Sequence, residues 1–343
     1  MWANILGHER QKQFLQNYLQ AQERPHALLF CGAEGLGKRQ LALAFAKSLL
    51  CASHTGEDNC EACRLMQVQE DGSVSHPDFL LIRRLQNEET KRYKDISIDQ
   101  IRDLNTQAAT GAVLSPTRVC LIEDVDKMSI GAANSFLKLL EEPPAGWVML
   151  LLATSVDKML PTILSRVVQL RFQPLELPVV EQALAERGVP AAQAAVLARL
   201  SEGSIGQAVR LYQPEDKNKE NVFAYREQAA AFLEALPLGM PQNYLAKRSW
   251  LDGKLLREDA VLMVQLWQLL LHDLLLCKLQ LYDRIYNVDL MSALKAQCSG
   301  WQLAALKKAL ALVNEAYAAL ESSVSVKTAL EAMALKIDKV YKE

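Results

Sequence analysis

Charge of one sign is what this chain of 343 residues most lacks: 38 Lys and Arg stand against 40 Asp and Glu, a formal net charge of −2. Without a basic excess it does not read as a free-standing nucleic-acid binder, whose footprint is a strongly basic face. The balance is silent about partners that bring their own basic surface. Aromatics are few, at 6%, and no internal repeat is evident. With half the residues apolar and 23% charged, the composition excludes a disordered, collagen-like or coiled-coil chain. The opening residues MWANILGHERQ lack a basic stretch followed by an apolar core, so no secretory leader is expected. No apolar run reaches the ~20 residues a membrane span needs. The most apolar one, Val261 to Cys277, carries Gln265, Gln268, His272 and Asp273 and reads as a buried bundle helix, so no membrane partner is expected. The seven cysteines are odd in number and sit mostly in apolar runs, which argues against a disulfide framework and for a reducing, cytoplasmic setting.

What is present is organised. At roughly 150 residues per domain the length suggests two or three domains. Up to about Phe172, short apolar runs alternate with helical periodicity. His26 to Cys31, Val119 to Ile122, Val148 to Ala153 and Val167 to Phe172 read as buried strands, with a further strand at Asp78 to Leu81. Lys38 to Cys51 and Ala132 to Leu140 read as amphipathic helices, the second stopped by Pro143-Pro144. Continuous apolar strands separated by helices predict a parallel sheet covered on both faces. Beyond Gln173-Pro174 the pattern turns helical, with Val179 to Arg187 and Ala191 to Ser201 punctuated by Gly188, Pro190 and Gly203. Gln213 to Asn221 reads as a polar connection or a helix start, and after Pro241 the chain reads as helical almost throughout, Leu- and Ala-rich with no strand signal. The expected division is an α/β P-loop domain over 1–173, a small helical domain over 174–236 and an all-helical domain over 237–343.

Two motifs carry chemistry. Gly32-Ala33-Glu34-Gly35-Leu36-Gly37-Lys38-Arg39 follows a strand and opens a helix, as a phosphate-binding loop must. In such a loop the backbone N–H groups cradle phosphates, the lysine pairs with the outer ones, and a Ser or Thr hydroxyl holds magnesium. Arg39 stands at that last position, and a guanidinium cannot ligate a cation. The strand at Val119 ends in Glu123-Asp124, where a P-loop ATPase places a magnesium-organising Asp and then a Glu that orients water. The order is inverted here, which shifts each carboxylate by about one methylene in chemistry that depends on positioning.

Leu139-Leu140-Glu141-Glu142-Pro143-Pro144, then Ala153-Thr154-Ser155, then Leu160-Pro161-Thr162-Ile163-Leu164-Ser165-Arg166-Val167 complete a pattern that resembles the AAA+ sliding-clamp loaders of bacterial DNA polymerase III, across nearly the whole chain. The resemblance implies an AAA+ core, a small helical lid and a helical collar through which subunits assemble. It implies that Arg166, beside Ser165, reaches in trans to the γ-phosphate of ATP on a neighbouring subunit, Val167 replacing the family's usual Cys. Thr154 falls at the first sensor position, and Gly206 of Gly203-Ser204-Ile205-Gly206 stands where motor subunits carry a sensing arginine. Together with Arg39 and Glu123-Asp124, these departures point to a non-hydrolysing subunit and away from the gamma/tau motor, with ATP or ADP binding left open. The implied partners are the gamma/tau and delta subunits and, through the complex, the sliding clamp and primer-template DNA. The implied role is that of a component of the polymerase holoenzyme and not an ATPase on its own.

Cys51, Cys60 and Cys63, spaced C-x8-C-x2-C, lie in an insert near 51–66, where the family closes a zinc site with a fourth cysteine. Here Arg64, Leu65 and Met66 follow instead. Structural zinc asks for four tetrahedral ligands, and a thioether is a poor one; His54 and His76 are the candidate substitutes. Arg83-Arg84 and Lys91-Arg92-Tyr93-Lys94 around Asn87-Glu88-Glu89 read as a solvated loop more readily than as a DNA contact. Two other readings compete with the non-hydrolysing subunit: an active motor of the same family, and a zinc-stapled nucleic-acid-binding module with a vestigial loop.

Overall fold

Alternate residues of a strand face opposite ways, and in β1 (Ala27–Cys31) both sets are apolar. Leu28 and Phe30 enter one core with Phe45 and Leu49, while Leu29 and Cys31 enter a second with Phe136 and Met149. A strand apolar on both sides can be satisfied only by a central position in a covered sheet, and that is where it lies. The computed structural model describes residues 2, 4–58, 60–69, 71–87, 93–108, 110–213, 221–236, 255–322 and 324–342. In it β2 (Phe79–Ile82), β3 (Arg118–Ile122), β4 (Trp147–Ala153) and β5 (Val168–Arg171) join β1 in a five-stranded sheet ordered β2-β3-β4-β1-β5. Every pairing is parallel, with Leu29 opposite Leu151 on one side and Gln169 on the other.

The helices between the strands supply the two covers. Helix α1 (Glu9–Gln20) and α2 (Lys38–Leu50) contribute Leu15, Tyr18, Leu41 and Phe45 to the first core. On the other face, α4 (Ile98–Ala108) and α5 (Ile130–Glu141) contribute Ile101, Leu104, Phe136 and Leu140. Ser129 caps α5, its hydroxyl accepting from the Ala132 N–H at 3.2 Å. Every strand expected from sequence is present within a residue or two at its ends. Helices α1 and α4 and the short α3 (Glu61–Leu65), which lies in the cysteine insert, go beyond the helices named from sequence. One-turn α6 (Pro161–Leu164) opens on Pro161, which suits the first helical position.

By contacts the chain forms two compact units: residues 1–179 with 204–206, and residues 180–203 with 207–343. The second holds most of the segment expected as a small helical domain together with the segment expected as a collar; the boundary expected at 236/237 borders residues outside those described. It contains α8 (Ala191–Leu200), α10 (Val222–Ala235), α11 (Arg257–Lys278), α12 (Met291–Cys298), α13 (Leu303–Glu321) and α14 (Val326–Lys342); α7 (Leu177–Ala185) and α9 (Ile205–Tyr212) each begin in the first unit and continue into it. Helix α11 is longer than its apolar run, 22 residues, and is long and apolar enough to cross a membrane by length and composition. Of its most apolar window 61% is buried inside the protein, as expected of a core helix. Trp267 is fully buried there and its indole donates to Ala229 O at 3.1 Å. Asp273, the acid within that run, is fully buried and accepts from the backbone N–H of Tyr286 (2.9 Å) and Asn287 (2.7 Å), pinning the turn that follows. A buried carboxylate supplied with donors is satisfied and not a flaw in the core.

Candidate functional site

In a parallel sheet the loops leaving the C-terminal strand ends gather on one edge, where α/β proteins bind ligands. Here that edge collects Gly32 to Gly37 after β1, Glu123 and Asp124 after β3, and Thr154 after β4. The phosphate loop needs its glycines. Gly35 and Gly37 adopt φ of 75° and 85°, and a Cβ on Gly32 would lie 2.4 Å from Phe172 O. Lys38 turns back into the loop, its Nζ donating to Gly32 O (2.5 Å) and Ala33 O (2.6 Å). Burial lowers its pKa, a tendency opposed by Glu34, Asp126 and Asp124.

Arg39, next to the loop lysine, is also committed. Arg39 Nε donates to Glu123 Oε1 at 2.5 Å, and its NH2 group donates to Gly72 O at 3.0 Å. Asp124 sits at a left-handed φ of 54°, with its pKa raised by burial and then by Asp126. Asp126 is buried at 7% exposure and receives Thr154 Oγ1 at 2.7 Å and Thr154 N at 3.2 Å. Thr154 therefore ties β4 to the turn after β3.

Gly206 closes on the same loop. Its N–H donates to Gly35 O at 3.1 Å, Ser204 Oγ donates to Glu34 O at 3.1 Å, and a Cβ on Gly206 would lie 2.9 Å from Gly35 Cα and O. Backbone thus packs directly against backbone at Gly206.

Arg166 stands apart from this edge, just after α6. Its guanidinium is ion-paired with Glu141 at 2.8 Å, and NH1 donates to Thr162 O (2.9 Å) and Ser165 Oγ (3.2 Å). Ser165 itself donates to Thr162 O. The arginine side chain stays 36% exposed, so these contacts orient it without burying it.

The three cysteines of the insert converge, and neither candidate histidine joins them. Cys51, Cys60 and Cys63 Sγ and a carboxylate oxygen of Asp58 all lie within 4.8 Å of one another. His54 instead turns Nδ1 to Ser48 O at 3.2 Å. His76 is buried, with Nδ1 taken by the Asp78 N–H and Nε2 by Ser115 Oγ. Both imidazoles bond to other partners, and neither of the two candidates offered for the open fourth position lies among the thiols. Met66 enters the sheet core. Of the basic loop, Lys91 and Arg92 lie outside the described residues. Arg84 donates to the carbonyls of Tyr93 and Lys94 and stacks over the Tyr93 ring at 5.6 Å.

The family model described as DNA polymerase III, delta subunit, matches residues 7–176. The chain is 26% identical over 332 residues to the DNA polymerase III subunit delta' of Bacillus subtilis, covering 96% of this chain and 95% of that one. It is 39% identical over 147 residues to the delta' subunit of Pseudomonas aeruginosa. The chain belongs to the delta-prime family. The Pseudomonas match spans 43% of each protein. A gamma subunit-related protein from Thermotoga maritima shares the fold, with a TM-score of 0.51, 18% identity and 95% of this chain covered.

For a delta-prime family chain, three site residues escaped reading from sequence. Asp58 carries no spacing signal, Glu141 was visible only as part of LLEEPP, and Asp126 follows the acidic pair that drew attention. Each is an acid whose partner lies elsewhere in the chain or on another element.

Proposed function

We propose that the chain is a non-hydrolysing clamp-loader subunit that offers Arg166 to the ATP site of a neighbouring gamma/tau subunit and, with the delta subunit, helps place the sliding clamp on primer-template DNA in the bacterial cytoplasm. The observation that carries the non-hydrolysing part is the Arg39–Glu123 pair. The loop's residues do not fit magnesium–nucleotide: a guanidinium occupies the hydroxyl's place and has taken the nearest acid. No step of ATP hydrolysis is therefore assigned to this chain, and the same pair, with Gly206 packed on Gly35, argues against the active-motor reading.

Arg166 suits the trans role because a guanidinium is always charged and its planar fork matches phosphoryl oxygens. Glu141 and Thr162 hold it forward while leaving it accessible. Cys51, Cys60 and Cys63 fit zinc by donor chemistry, since thiolates are its preferred structural ligands. The ion would cross-link the insert and leave the chemistry elsewhere. The sheet core with a small helical domain over 174–236 and a collar over 237–343 is the division this reading adopts.

The test is reconstitution of the complex with Arg166→Ala. Arginines supplied in trans are worth ~10³–10⁵ in rate, so turnover at the one interface this subunit serves should be lost while assembly persists. An unchanged clamp- and DNA-stimulated ATPase would end the assignment.

A further inference from the structure

From the geometry we infer that Asp58 is the fourth ligand of the zinc site, so that the insert holds its ion by three thiolates and one carboxylate. This rests on the zinc reading above and adds which side chain closes the tetrahedron.

Zinc–sulfur bonds of about 2.3 Å and zinc–oxygen bonds of about 2.0 Å set tetrahedral edges near 3.8 Å between sulfurs and 3.5 Å between sulfur and oxygen. Cys51 and Cys60 Sγ are 3.9 Å apart. Asp58 Oδ1 lies 2.8 Å from Cys51 Sγ and 3.2 Å from Cys63 Sγ. The sulfur pair is thus already at the required edge, and the carboxylate oxygen needs to move outward by about 0.7 Å from Cys51 Sγ and about 0.3 Å from Cys63 Sγ. The two oxygens are differentiated: Oδ1 faces the thiols, while Oδ2 accepts from Ser53 Oγ at 2.6 Å. An outer hydrogen bond on the second oxygen is how a single-oxygen carboxylate ligand is oriented.

One of the sulfurs is prepared in the same manner. Cys63 N donates to Cys60 Sγ at 3.4 Å at the start of α3. N–H donors to sulfur stabilise thiolate, the form zinc binds. The chain reaches this arrangement through Gly56 at φ 68°, where a Cβ would lie 2.8 Å from Ser48 Oγ. That turn brings the chain after Cys51 back onto Ser48 of α2 and delivers Asp58 to the cluster. On binding, Zn²⁺ displaces the protons of the three thiols to solvent, while Asp58 enters as carboxylate and releases none.

The full chain, purified without added zinc, is analysed for metal by mass spectrometry and for zinc affinity by competition with a chromophoric chelator. Its cobalt(II) form is examined by absorption. Expected for the parent chain are one bound zinc ion and the thiolate-to-cobalt charge transfer of three sulfurs. Asp58→Ala should weaken zinc by at least ~100-fold, the upper end of what loss of an outer-sphere partner costs. Asp58→Cys should restore affinity and raise the charge-transfer intensity, and His54→Ala should change neither. If Asp58→Ala fails to fold, the isosteric Asp58→Asn carries the same comparison. A parent chain without zinc overturns both readings. Zinc present, with affinity and cobalt spectrum indifferent to Asp58 or lost with His54, overturns the ligand assignment alone and leaves the zinc.

Discussion

Arg39 and Glu123, 84 residues apart in the chain, meet as Nε–Oε1 at 2.5 Å across the C-terminal edge of the sheet. The pair joins the residue after the loop lysine to the acid that follows β3. Its side chains are 39% and 20% exposed, so solvent screens it and its contribution to stability is at most about 1 kcal/mol. Arg39→Thr should therefore fold normally. It should not confer ATPase activity, because the inverted acids Glu123-Asp124 and the Gly206–Gly35 contact remain. Phosphate release from the purified chain checks this; turnover at the level of a motor subunit would overturn the account.

Glu141 holds Arg166 at 2.8 Å in a pair that is 50% and 36% exposed. Glu141→Gln should shift unfolding by less than about 1 kcal/mol. In the reconstituted complex it should lower stimulated ATPase by less than Arg166→Ala does, because the guanidinium stays anchored to Thr162 O. Arg166→Lys should not rescue, since an ammonium lacks the planar fork. Steady-state ATPase of the variant complexes measures all three.

Gly206 has no room for a side chain. A Cβ there meets backbone atoms of Gly35 at 2.9 Å, and backbone cannot swing aside as a flexible side chain could. Gly206→Ala should cost about 1–3 kcal/mol, the usual penalty for overpacking, read as a lowered urea midpoint at unchanged slope. Gly206→Arg should be at least as costly and should not create nucleotide binding.

Acid should destabilise the chain in two windows. Burial, partly opposed by Asp78, holds His76 below its ordinary value of 6.5, and burial does the same for His8. For a base kept neutral by the fold, stability is present above that value and falls as pH drops through the lowered folded one. At Asp78, burial pushes upward but is outweighed by N–H donors from Val113, Leu114 and Ser115 at 2.7, 2.7 and 2.8 Å, so the net shift is below the ordinary 3.8. Its contribution is present above 3.8 and is lost as pH falls through the depressed value. Thermal melts from pH 7.5 to 3 should show both losses, with His76→Gln removing part of the upper one. Asp78→Ala leaves three donors without their acceptor and should cost about 3 kcal/mol or more near neutrality.

Much of this protein is local and therefore readable along the chain. The strand at Ala27–Cys31 is apolar on both faces, the glycine turn follows it at once, and LLEEPP stops α5 on two prolines. Such features depend on backbone preferences and on the period of apolar residues, which neighbouring positions determine. The sequence by itself determined the parallel sheet and the strand-glycine turn-helix order of its first βα unit. Tertiary structure alone decided which side chains answer one another: Glu123 for Arg39, Glu141 for Arg166, Gly35 for Gly206, and Asp58 in place of either histidine among the thiols. A carboxylate can satisfy any cation or donor brought within about 3 Å, and residue type does not say which. Sheet order and loop path bring one partner close and keep the others away.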